Sequence, residues 1–214
     1  MAHVMSSPKA PSRPIVFVVD DDVSVREALE GLFRLHGWNT ETFASAEAFL
    51  SRPPSPVPSC LVLDVSLPDL SGLDLQKRLA DRTNIPIIFI TGYGSVPMTV
   101  QAMKAGAVEF LTKPFEDDAL IFAIRQAIQR SETALNAEKE SKRLRDRYDA
   151  LSRREREVMS LVISGRPNKQ IGFELGISEI TVKAHRGRVM RKMQAKSLAD
   201  LVHMGARLAL GGKQ

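Results

Sequence analysis

The 214-residue sequence predicts an α/β domain, a doubly wound five-stranded parallel sheet, followed by a long helical linker and an all-α helix-turn-helix domain. Three observations carry this. Short apolar runs alternate with helix-period segments five times in the first 130 residues, as βα repeats do. A stretch from Glu116 to about Arg147 holds no proline or glycine. After Leu151 only short amphipathic helices separated by turns are visible, with no strand pattern.

The runs Ile15–Val19 (IVFVV), Cys60–Leu63 (CLVL) and Ile85–Ile90 (IPIIFI) are almost wholly apolar. That is the signature of strands covered on both faces of a parallel sheet. Weaker runs near Trp38–Phe43 and Val108–Leu111 bring the strands to five. Helices are expected at Val23–His36, Ala44–Leu50, Gly72–Ala80, Val96–Ala105 and from near Glu116. The proline-dense Arg52–Ser59 is a loop inside this domain, because the alternation resumes on either side of it. In the long helix Ile121, Ile124, Ile128 and Leu135 begin at helical spacing, but Lys142 falls where the next apolar residue is due. A solvated helical linker is therefore expected rather than a coiled coil. Past it, helices are expected at Arg153–Ser164, Lys169–Leu175, Glu179–Met193 and Ser197–Leu210, the second and third joined by the tight turn Leu175-Gly176-Ile177-Ser178. The expected organisation is a disordered tail over 1–14, the sheet domain over 15–130, the linker over 131–150 and the helical domain over 151–214.

Composition narrows the setting. Apolar residues make up 43% and charged residues 26%, a balance that favours a folded core over disorder. No run approaches the ~18 apolar residues of a membrane helix, and the N-terminus lacks the apolar region of a signal peptide. A cytoplasmic protein with no membrane partner is expected. The single cysteine, Cys60, excludes an internal disulfide or a multi-thiolate metal site. The net charge of +5 divides unevenly: 12 Lys and Arg stand against 15 Asp and Glu over 1–130, 5 against 5 over 131–150, and 13 against 5 over 151–214. An acidic module is joined to a basic one suited to nucleic acid or another anionic surface.

In an open parallel sheet, ligands collect beyond the carboxyl ends of the strands. There the sequence places Asp20, Asp21 and Asp22 after the first strand, Asp64 at the end of the third, Thr91 at the end of the fourth, and Lys113-Pro114 after the fifth. Carboxylates a few ångströms apart repel by roughly 4 kcal/mol per pair at an effective dielectric of 20. A bound divalent ion offsets that repulsion. Hard oxygen donors without histidine or cysteine suit Mg²⁺ or Mn²⁺ rather than zinc. A carboxylate, a metal, a hydroxyl and a lysine are together the requirements of aspartyl-phosphate chemistry. Singly, Asp22 reads as a helix cap, Thr91 as a strand end and Lys113 as a surface lysine; matched at four strand ends of one domain, they read as a site. A stand-alone phosphatase of the haloacid-dehalogenase type is disfavoured, since its general acid, two residues after the nucleophile, is here Ser66.

With VVDDD, LVLD, LPDLSG, ITG and LTKPFED in this order, residues 15–130 resemble the flavodoxin-like receiver domain of response regulators. The resemblance implies that Asp64 is the phosphoacceptor, accepting and slowly hydrolysing an aspartyl phosphate. It implies that Asp21 and Asp64 bind Mg²⁺ with the backbone carbonyl of Ser66, and that Asp20 acts on the metal mainly through water. Thr91 and Lys113 contact the phosphoryl oxygens in this family, and a cis Lys113–Pro114 bond is expected. Phe110 matches the family's switch aromatic, partnered with Thr91; a strand-five core residue is the alternative. Ser66 and Tyr93 stand where the family tunes phosphoryl loss. A dimerisation surface is implied on Val96–Ala105 and Val108–Leu111.

Residues of about 150–205, LSRREREVMSLVISG, NKQIGFELGIS and EITVKAHRGRVMRKM, resemble the LuxR-type helix-turn-helix. The chain beyond its N-terminal tail is thus similar to two-component regulators of the NarL/FixJ subfamily. Read from the residues, Ser178 caps the Glu179–Met193 helix, and Ile180, Val182, Val189 and Met193 form its core stripe. Lys183, Arg186, Arg188, Arg191 and Lys192 spread over the remainder, with no acid between Ile180 and Lys196. Such a face can enter a major groove and contact flanking phosphates. By resemblance Lys183, Ala184 and Gly187 face the groove, while Lys169, Thr181, Arg188 and Lys192 suit phosphate oxygens. Because Gly187 contacts little, base reading shifts to Arg186 or Lys183, whose donors suit guanine. Gly172, where alanine is usual, is expected to loosen the first helix of the pair slightly. The implied partners are double-stranded promoter DNA, a sensor histidine kinase, a second copy of the chain on phosphorylation, and RNA polymerase as a candidate.

Overall fold

The computed structural model describes residues 13–80 and 85–208. The expected tail over 1–14 therefore lies outside the described residues except for its last two positions, and so do the final residues of the expected last helix. Five strands, β1 (Ile15–Val19), β2 (Asn39–Phe43), β3 (Ser59–Asp64), β4 (Ile87–Thr91) and β5 (Glu109–Thr112), alternate with α1 (Val23–Leu35), α2 (Ala46–Leu50), α3 (Gly72–Ala80) and α4 (Val96–Lys104). The helix α5 (Asp117–Asp149) follows, then α6 (Arg153–Ile163), α7 (Asn168–Leu175), α8 (Glu179–Met193) and α9 (Leu198–Arg207).

The strands pair in parallel in the order β2-β1-β3-β4-β5. Each of the three central strands sends alternate residues to opposite faces, as the two-residue period of a strand requires. Phe17, Val19, Leu61, Leu63 and Phe89 pack with α2, α3 and α4 on one side. Val16, Val18, Cys60, Val62, Ile88 and Ile90 pack with Leu29 and Phe33 of α1 and Leu120, Ile121, Ile124 and Ala127 of α5 on the other. The edge strands are half-covered, with burial confined to Phe110 in β5 and no fully buried residue in β2. That explains their weak apolar signal.

Element ends moved by one to three residues, for local reasons. β4 begins at Ile87 rather than Ile85, since Pro86 has no N–H to give the ladder; its carbonyl instead accepts from the Leu61 amide at 2.9 Å. α2 begins at Ala46, because Ser45 caps it by accepting from the Ala48 amide. α6 opens on a reciprocal capping box between Ser152 and Glu155. α7 stops at Leu175, before Gly176, whose φ of 66° is the left-handed cap that makes the following turn tight.

The chain divides into two compact units, Met1–Asn136 and Ala137–Gln214. The division falls inside α5, so the residues expected as a separate linker over 131–150 are shared. In the first unit the Ser131 hydroxyl accepts from the Ser59 amide at 3.0 Å. In the second, Leu144 belongs to the helical core, with Tyr148 packed against it. From Glu132 to Arg143 only Leu135 and Ser141 are half-covered, the profile of a solvated helix. The second core gathers Val158, Met159 and Val162 of α6, Ile171 of α7, Val182, Val189 and Met193 of α8 and Leu201 of α9. Among the described residues no helix is long and apolar enough to cross a membrane.

Candidate functional site

At the carboxyl end of the sheet the β1–α1 turn is fixed from both sides. Asp22 caps α1 by accepting from the Ser24 amide at 2.8 Å, which holds its carboxyl below the usual carboxylate range. One turn into α1, the Arg26 guanidinium donates to the carbonyls of Asp20 and Asp21 at 2.7 and 2.9 Å. The Asp20 and Asp21 carboxylates are thereby presented beside Asp64, which β3 delivers from the adjacent strand. One oxygen from each of Asp20, Asp21 and Asp64 lies within 4.8 Å of the others. Asp20 is 1% exposed and Asp64 7% exposed, whereas Asp21 is open to solvent.

Lys113, the residue after β5, closes the cluster. Its Nζ donates to Asp20 Oδ2 at 2.7 Å and to Asp64 Oδ2 at 3.2 Å, and its amide donates to the Thr91 carbonyl at 2.8 Å. The Lys113–Pro114 peptide is cis, as expected. Burial pushes the Asp20 carboxyl above its ordinary range, although its bonds from Lys113 and the Asp22 amide pull the other way. Burial also opposes the Lys113 ammonium, yet its bonds to Asp20 and Asp64 carry it above an ordinary lysine. Three carboxylates here face one ammonium, so the pocket favours added positive charge. The donor set is hard oxygen, it is partly desolvated, and its remaining negative charge is what a divalent cation neutralises. Asp20, Asp21 and Asp64 are thus a pocket that can hold a divalent metal.

Other expected groups surround the pocket. The Ser66 amide donates to Asp64 Oδ1 at 3.0 Å, which leaves the exposed Ser66 at the rim. Thr91 is fully buried and its Oγ1 accepts from the Tyr93 amide at 3.2 Å, so its hydroxyl proton remains to be donated. Phe110 is 9% exposed and packs against Phe89 with ring centroids 5.9 Å apart. Two residues that sequence reasoning did not single out complete the architecture. Arg26 fixes the acidic turn, and its only sequence signal is a basic residue one turn into the helix after an acidic run. Gly72, the first residue of α3, has no room for a side chain: a Cβ there would lie 2.4 Å from the Asp64 carbonyl oxygen. The LPDLSG turn hinted at a glycine requirement but not at which backbone it would meet.

The second unit offers a basic helix. α8 buries Val182, Val189 and Met193. Ile180 is not part of that stripe as expected: it is 79% exposed, because residues two apart stand on opposite sides of a helix. Lys183, Ala184, Gly187, Arg188 and Arg191 are also exposed. Lys183 meets Glu179 one turn earlier at 3.1 Å. Arg186 is half-buried and donates to Asn168 Oδ1 at 2.6 Å, which ties α8 to the start of α7 rather than leaving the guanidinium free. The Thr181 hydroxyl shares a 2.8 Å bond with Ser178 at the helix cap. Lys169 is exposed on α7.

Lys192 is also engaged within its own unit. Its Nζ lies 2.6 Å from Glu155 Oε2 and 3.1 Å from the Ala150 carbonyl. Glu155 is 4% exposed, and the Lys192 bond, aided by the Ser152 amide, lowers its carboxyl to about 2. The Ser-x-x-Glu pattern marks Glu155 as a cap, but nothing local links it to a lysine 37 positions away. Gly172 also differs from expectation. A Cβ there would lie 2.7 Å from the Ile177 carbonyl oxygen, so the glycine admits the close approach of the turn rather than merely weakening α7.

Comparison with known proteins assigns each unit to a family. The response regulator receiver domain model matches residues 16–125, and the model of bacterial regulatory proteins of the luxR family matches residues 149–205. Nodulation protein W of Bradyrhizobium diazoefficiens is 50% identical over 203 residues, covering 94% of this chain and 89% of that protein. The transcriptional regulatory protein FixJ of Rhizobium meliloti is 46% identical over 190 residues, covering 88% and 93%. Among solved structures, response regulator StyR superposes with a TM-score of 0.84 at 48% identity, covering 92% of this chain and all of that one. With the acidic pocket in one unit, the helix-turn-helix in the other, and relatives that span nearly the whole chain, the protein belongs to the two-component response regulators, transcriptional regulators in which a receiver domain precedes a LuxR-type DNA-binding domain.

Proposed function

We propose that Asp64 accepts a phosphoryl group from a sensor histidine kinase and that this modification controls dimerisation and promoter binding. The carrying observation is the bridge made by Lys113 between Asp20 and Asp64, with Asp21 alongside. An Asp64 carboxylate oxygen attacks phosphorus, the bond from phosphorus to the donor's imidazole nitrogen breaks, and the imidazole takes up a proton. Lys113 lies where it can neutralise the incoming oxygens, and Thr91 has a hydroxyl proton to donate to one of them. Asp20, Asp21, Asp64 and the Ser66 carbonyl would hold Mg²⁺ or Mn²⁺, which would supply further charge neutralisation. The resulting acyl phosphate is hydrolysed slowly in the same pocket, and the chain has no other enzymatic role. Thr91 and Phe110 are the residues through which the phosphoryl is read.

The exposed side of α8 enters the major groove, with Lys183, Ala184 and Gly187 toward the bases and Lys169 and Arg188 toward phosphates. Arg186 and Thr181 reach DNA from positions already braced by Asn168 and Ser178, and the third proton of Lys192 remains for a phosphate. A two-fold dimer would bind half-sites about 34 Å apart or a multiple of that. RNA polymerase is the further partner of such a complex, and the cytoplasm its setting. Incubation with acetyl phosphate and Mg²⁺ tests the chemical step by intact mass. A gain of one phosphoryl group, absent in Asp64→Asn, is expected; equal labelling of both proteins would overturn the assignment.

A further inference from the structure

α8 turns by about 100° per residue, which sets Ile180 opposite the buried arc of Val182, Val189 and Met193. Ala184, Gly187 and Arg191 lie within about 40° of Ile180 on this spacing, and Lys183 and Arg188 flank them. Over the first two turns the centre of the outward arc is therefore small or apolar; Arg191, a turn further along, is cationic, as are the borders. Ile180 leads this arc from the first turn of the helix and is 79% exposed. A branched apolar side chain gains nothing from water there. A Cβ added at Gly187 would meet nothing within 4 Å, and Ala184 is equally slight, so the helix can sit deep in a groove along this line. Its cap leads the first turn, and the N-terminal residues of such a helix are those that reach base edges. The apolar feature of a major groove is the thymine C5-methyl group.

Resting on the DNA-binding reading above, we infer that Ile180 is a specificity-determining residue that packs on a thymine methyl group in each half-site. Its contribution is shape and apolar contact, distinct from the hydrogen-bonding readout of Lys183. Since Ile180 is 79% exposed and stands opposite the buried arc, its replacement by alanine leaves the fold intact.

The test uses the full chain, activated with beryllofluoride, and a duplex selected from a random-sequence library by the wild-type protein. Each thymine in the half-site is replaced in turn by uracil, which removes only the methyl group. At one position per half-site, uracil weakens wild type by about four-fold and leaves Ile180→Ala unchanged, and Ile180→Ala equals wild type on non-specific DNA with the same salt slope. If no position distinguishes the two proteins, or if Ile180→Ala loses affinity for all sequences alike, the inference fails while the DNA-binding reading stands. If wild type selects no sequence and binds no duplex, the DNA-binding reading itself fails.

Discussion

Replacing Lys192 with alanine should destabilise the helical unit, whatever it does to DNA affinity. In the folded protein Glu155 is buried against Lys192 at 2.6 Å and the Ser152 amide at 2.8 Å. Its carboxyl titrates at about 2 instead of 4.5, a gap that corresponds to about 3 kcal/mol. Lys192 is 39% exposed, so solvent screening reduces the share it supplies to about 2 kcal/mol. The sign follows from the depressed carboxylate: this stability is full above about pH 4.5 and is lost as pH falls through about 2. Hydrogen exchange at the amides of α6 and α8 in the full chain reads it directly. At pH 7 the opening free energy of Lys192→Ala should fall by about 2 kcal/mol, and its acid dependence below pH 5 should be shallower than that of wild type. Lys192→Met in a Glu155→Gln background should recover much of the loss, since it leaves no uncompensated buried charge. Unchanged exchange in Lys192→Ala, with a log K against log[salt] slope flattened by one, would refute this reasoning and make Lys192 a phosphate contact.

Other outcomes follow from the same structure. Gly72→Ala places a methyl group against the Asp64 carbonyl, so it should lower receiver stability by 1–3 kcal/mol or more and slow phosphoryl acceptance, measured by thermal unfolding and intact mass. Gly187→Ala, with open space around the new carbon, should stabilise the helical unit by about 1 kcal/mol through helix propensity alone, read by hydrogen exchange. Mg²⁺ should raise the receiver's unfolding temperature at neutral pH. Because burial pushes Asp20 above the ordinary carboxylate range, the Mg²⁺ effect should fade at higher pH than an unperturbed aspartate would dictate; an effect constant from pH 7 to pH 4 would contradict the pocket assignment.

Much of this was legible in the sequence where a residue's role is set by its own strand or helix. β1, β3 and β4 are apolar on both faces because helices cover both, and that continuity is visible as letters. β2 and β5 lie at the edges, so half of their surface needs no apolar cover and their signal fades. Asp20, Asp64, Thr91 and Lys113 were legible because parallel strands deliver their ends to one rim. Arg26, Gly72 and Glu155 were not, since Arg26 and Gly72 meet backbone carbonyls across a turn and Glu155 meets a lysine 37 positions away, contacts that leave no periodic pattern. Ile180 reads as a core residue for a simpler reason: it is an apolar neighbour of Val182, although a spacing of two sends the side chains to opposite sides of a helix.

On the proposed function, charge added at Asp64 is transmitted to the DNA-binding unit. The most direct measurement is promoter-duplex affinity together with sedimentation in Mg²⁺, with and without beryllofluoride, for wild type and Asp64→Asn. Beryllofluoride should convert wild type to a dimer with tighter DNA binding and leave Asp64→Asn unmoved. Equal affinity and equal size in all four samples would contradict it.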